Sequence, residues 1–124
     1  MGINKDLGLP FGEGMEKIAV CFDVDGTLVD TSRIDEKENY STIALLGILR
    51  LQKWKNVDII VWSGGGKTYA EQMFRMFVSN DTDNISFHSK LEHKELRKKY
   101  DKIIAIDDVQ DTRLGDVNLI VRNK

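Results

Sequence analysis

Residues 18–22 read Ile-Ala-Val-Cys-Phe, an unbroken apolar run that stops abruptly at Asp23-Val24-Asp25-Gly26. A strand that is apolar on both faces must be covered on both, and a parallel sheet held between layers of helix does this. Runs at 57–62, 85–87, 103–106 and 117–121 read as four further strands. Between them, 40–53 carries Leu45, Leu46, Ile48 and Leu49 at helical intervals, with Ser41 as a candidate cap. Ala70, Met73, Phe74 and Phe77 follow the spacing of a core-facing helix, and 91–100 reads as a charged surface helix anchored by Leu91, Leu96 and Tyr100. The polar stretch 31–39 reads as a loop. Alternating strands and helices imply right-handed crossovers. The expected fold is therefore α/β, a Rossmann-like three-layer sandwich around a mostly parallel five-stranded sheet.

At 124 residues the chain has the length of one domain, expected over 15–124. Residues 1–14 hold Gly2, Gly8, Gly12, Gly14 and the only Pro, show no apolar periodicity and precede a second Met. They read as a flexible N-terminal tail, either a cloning remnant or an upstream extension. The sequence is 41% apolar, yet no run approaches the roughly 18 residues needed to span a bilayer. A soluble cytoplasmic protein without membrane contact is expected. A net charge of −2 supplies no general attraction to nucleic acid. Cys21, the lone cysteine, has no partner for an internal disulfide and reads as a small buried hydrophobe.

In a parallel sheet, ligands bind beyond the carboxyl ends of the strands, and three chemical clusters fall there: Asp23 with Asp25, Ser63 with Gly64, and Asp107 with Asp108. Paired carboxylates of this kind suit phosphate chemistry only in company with cations. A phosphate ester repels a carboxylate nucleophile until positive charge cancels the repulsion. Magnesium takes oxygen ligands and keeps several waters, so one or two carboxylates suffice to anchor it.

Asp23-Val24-Asp25-Gly26-Thr27, then Ser63 after an apolar strand, then a lysine, then Asp107-Asp108, together resemble the four motifs of the haloacid dehalogenase superfamily across most of 18–111. The resemblance implies a magnesium-dependent phosphomonoester hydrolase working through an aspartyl-phosphate. Asp23 would be nucleophile and metal ligand. Asp25 would be acid and base, with its backbone carbonyl on magnesium. Ser63, Gly64, Thr27 and the lysine would hold the phosphoryl group. Asp108 would bind the metal, and Asp107 would support the site without touching the ion. Asp111 would hold a metal-bound water or serve only as a turn residue. Several lysines compete for the third motif. Lys90 opens the helix after the short strand and is preferred, with Lys94 one turn later as the alternative, whereas Lys98, Lys99 and Lys102 look like a solvated face.

The family's cap domains find no room in either gap between motifs, so a capless, open site is expected. Such a site suits a macromolecular phosphorylated substrate, or a homo-oligomer whose neighbour serves as lid. A nucleic-acid end is compatible but unsupported by the charge. A catalytically silent phosphate- or metal-binding regulatory module is the alternative, and the intact Asp25 speaks against it. Gly66-Lys67-Thr68 is no phosphate-binding P-loop, because Val61 stands where that pattern needs its first Gly. His88 and His93 lack the further ligands of a zinc site.

Overall fold

The computed structural model describes residues 15–31, 37–109 and 113–122. In chain order the elements are β1 (Ile18–Asp23), β2 (Val29–Asp30), β3 (Lys37–Glu38), α1 (Tyr40–Gln52), β4 (Val57–Ser63), α2 (Lys67–Phe77), β5 (Ile85–Ser89), α3 (His93–Lys99), β6 (Lys102–Asp107) and β7 (Val117–Ile120). A single 3-10 turn, Lys90–Glu92, joins β5 to α3. Strands β5-β4-β1-β6-β7 form one parallel sheet in that order, and β2 and β3 pair antiparallel as a separate short ribbon. The fold is the expected α/β sandwich.

Both faces of β1 are buried, which explains its unbroken apolar run. Val20 and Phe22 pack with Leu46 of α1 and with Ala70, Met73 and Phe74 of α2. Ala19 and Cys21 face the other way, onto Leu96 of α3 and Leu114. The same alternation splits β4, with Ile59 and Val61 on one side and Ile60 and Trp62 on the other. Helices α1 and α2 thus cover one face and α3 the other. The chain runs outward from β1 through β4 to β5, then returns past β1 to β6, so the strand order reverses between β1 and β6. That reversal leaves a crevice at the strands' carboxyl ends.

Three local expectations change. Leu91, expected to anchor the helix over 91–100, is 87% exposed in the 3-10 turn that precedes α3, where Leu96 and Tyr100 pack. The polar stretch 31–39, expected as a loop, contributes β3, which pairs Lys37 with Asp30 and Glu38 with Val29. Helix α1 begins with Asn39, not Ser41, at its N-cap position, and the Asn39 backbone N–H donates to the Leu28 carbonyl at 2.9 Å. Among the described residues, no helix is long and apolar enough to cross a membrane.

Candidate active site

Strand register brings the chemistry to one edge. Asp23 lies beside Trp62, Phe22 beside Ile106, and Ser63 beside Ser89. The residues that end four adjacent strands, Asp23, Ser63, Ser89 and Asp107, therefore emerge together. Asp23, Ser63 and Asp107 open into a cleft of about 670 Å³ that is also lined by Asp25, Gly64, Lys90 and Asp108.

Asp23 is only 4% exposed. Its Oδ1 lies 2.7 Å from Lys90 Nζ, and its Oδ2 accepts from the Thr27 hydroxyl at 3.0 Å. Burial is the largest influence on this carboxyl and pushes it up to about 7; the Lys90 charge opposes that rise without cancelling it. The same ammonium lies 2.6 Å from Asp107 Oδ2, and the Asp107 charge adds to the rise of Asp23. Burial pulls the Lys90 ammonium down, but the two carboxylates outweigh it and hold the lysine above its ordinary value. Asp108 is raised by burial, then by its hydrogen bond with Asp107 and the charge there. One oxygen from each of Asp23, Asp107 and Asp108 lies within 4.8 Å of the others.

A capping box sets the position of Lys90. Leu91 N–H donates to Ser89 Oγ at 3.2 Å, and Ser89 N–H donates to Glu92 Oε2 at 2.7 Å. This reciprocal pair fixes the turn that aims Lys90 across the sheet ends. The pattern Ser89-Lys90-Leu91-Glu92 is a sequence signal that separates Lys90 from Lys94, which lies exposed on α3 outside the cleft lining.

Directly after β1 the chain makes a tight turn, in which the backbone N–H groups of Thr27, Leu28 and Val29 all point to the Val24 carbonyl at 3.0–3.2 Å. Gly26 sits in this turn at φ +82°, and a Cβ there would collide with the Asp108 carboxylate. Close approach of the β1 turn to Asp108 thus depends on glycine.

Ser63 Oγ accepts from Gly65 N–H at 2.9 Å, so its own proton remains available to a phosphoryl oxygen. Thr27, expected against the phosphate, is fully buried with its hydroxyl on Asp23, so it orients the Asp23 carboxylate and does not line the cleft. Asp107 accepts both Lys90 and the Val109 N–H, at 3.1 Å, as a residue that steadies its neighbours would. Asp111 lies outside the described residues. One contact lacks any sequence signal: the Tyr69 hydroxyl, on α2, donates to Asp25 Oδ1 at 2.7 Å.

The donor set fits a hard divalent cation. It consists of carboxylate oxygens alone, and of the three carboxylates only Asp23 and Asp107 pair with the Lys90 ammonium, an excess of negative charge that a cation between Asp23 and Asp108 would relieve. Neither protein-family models nor curated proteins give a match to this chain.

Proposed function

We propose that the chain is a magnesium-dependent phosphomonoester hydrolase of the haloacid dehalogenase type. The observation that carries this reading is the junction at Lys90, whose ammonium bridges Asp23 and Asp107 while Asp108 stands within the same group of oxygens. A buried carboxylate steadied by Thr27 and a lysine, at the mouth of a cleft, suits a nucleophile better than a solvated turn.

In this reading Asp23 attacks phosphorus through a carboxylate oxygen. The bond from phosphorus to the ester oxygen breaks, its electron pair leaves with that oxygen, and Asp25 supplies the proton. Water then attacks the aspartyl-phosphate, Asp25 takes the water's proton, and the bond between phosphorus and the Asp23 oxygen breaks to release phosphate. Lys90 and the Ser63 hydroxyl hold the phosphoryl oxygens throughout. Asp23, Asp108 and the Asp25 carbonyl would hold magnesium, which supplies positive charge against the charge developing on the phosphoryl group.

Phosphate release from p-nitrophenyl phosphate tests the reading. The expected result is activity with Mg²⁺, none with chelator, and a loss of at least ~10³-fold in Asp23→Asn with the circular-dichroism spectrum unchanged. Full activity in Asp23→Asn sinks the proposal. Metal binding without turnover of any phosphate ester favours the silent regulatory module.

A further inference from the structure

Tyr69 lies on the first turn of α2, far in sequence from β1, yet its hydroxyl reaches Asp25 Oδ1 at 2.7 Å. Its ring lies beside Gly65 in the loop after β4. A Cβ built on Gly65 would meet Tyr69 Cδ2 at 3.1 Å and Ser63 Oγ at 3.4 Å, so the absent side chain leaves the room the ring needs. The hydroxyl's hydrogen bond, with the ring set beside Gly65, thereby connects Asp25 to the helix that follows the Ser63 loop.

We propose that Tyr69 is a positioning residue for Asp25. This rests on the phosphoryl-transfer reading above. A carboxyl group that accepts a fixed hydrogen bond on Oδ1 loses its rotational freedom and presents Oδ2 as the oxygen that exchanges a proton with the ester. Orientation of this kind matters most where the departing oxygen is a poor leaving group. An alkyl ester needs a proton as its bond to phosphorus breaks, whereas a nitrophenolate departs without one. Tyr69 therefore acts on the proton-transfer part of the reaction and leaves phosphoryl binding to Ser63 and Lys90.

The experiment compares wild type and Tyr69→Phe, with Mg²⁺, on p-nitrophenyl phosphate and on an alkyl phosphate such as ethyl phosphate. Phenylalanine keeps the ring against Gly65 and removes only the donor. The expected result is a kcat for ethyl phosphate lower by ~10- to 100-fold, against less than about threefold for p-nitrophenyl phosphate. KM for both esters and the urea midpoint stay near those of wild type. Equal losses on the two esters, or a change confined to KM, overturn the proposal by making Tyr69 a packing or binding residue. A wild-type protein that hydrolyses neither ester overturns the phosphoryl-transfer reading, and this inference with it.

Discussion

Gly26 and Gly47 show how one substitution changes sign with its surroundings. Gly26 has φ +82° and stands against the Asp108 carboxylate, so Gly26→Ala adds a disfavoured backbone conformation to a collision. The expected cost exceeds ~1 kcal/mol in urea unfolding, together with loss of the proposed phosphatase activity as Asp108 is displaced. Gly47 lies mid-helix in α1, and a Cβ there would meet nothing within 4 Å. Gly47→Ala is expected to stabilise the fold by ~0.5–1 kcal/mol through helix propensity, with activity unchanged. A stabilised Gly26→Ala protein would contradict the placement of Asp108 against the β1 turn.

Helix α1 marks the boundary of what the sequence made legible. Its existence was readable from apolar residues at helical intervals, but these surround the whole cylinder, so periodicity could not choose the buried face. The sheet chooses it: Thr42 and Leu46 are buried, whereas Ile48 is 55% and Leu51 77% exposed. Leu46→Ala is accordingly expected to cost ~2–5 kcal/mol in urea unfolding, and Leu51→Ala to stay within ~0.5 kcal/mol of wild type. Similar losses for the two would mean that the outer face of α1 is covered in solution. Strands β1, β4 and β6 were legible for the opposite reason, since burial on both faces demands continuous apolar runs. The acids at their ends followed from the same rule. Tyr69 did not, because its partner lies on another element and no local pattern distinguishes it from an ordinary helix tyrosine. The short β2–β3 ribbon was equally hidden, with two residues per strand and too little sequence for alternation to register.

Across the whole molecule, the buried acid group links folding stability to pH and, on the proposed reading, to metal. Asp23 has an ordinary value of 3.8 and is raised to about 7 in the fold. The folded chain thus binds this proton more tightly than the unfolded chain does. Its contribution to stability is complete below about 4 and is lost as the pH rises through 7. In chelator, wild type is therefore expected to lose more stability between pH 5 and pH 8 than Asp23→Asn, which has no proton to release there. Magnesium, held as proposed, would compete with that proton for the same oxygens, so its effect would run in the reverse direction. At a hundredfold excess over Kd, bound metal adds about 2.7 kcal/mol. This gain is expected at pH 8, where Asp23 is ionised, and is expected to shrink toward pH 5, where the proton must first be displaced. Thermal unfolding at both pH values, with Mg²⁺ and with chelator, measures the two effects together. A magnesium-induced rise in Tm equal at pH 5 and pH 8, or one that persists undiminished in Asp23→Asn, would place the ion away from Asp23. A rise confined to the higher pH and absent from the variant would place the metal on Asp23, the carboxylate proposed to attack phosphorus.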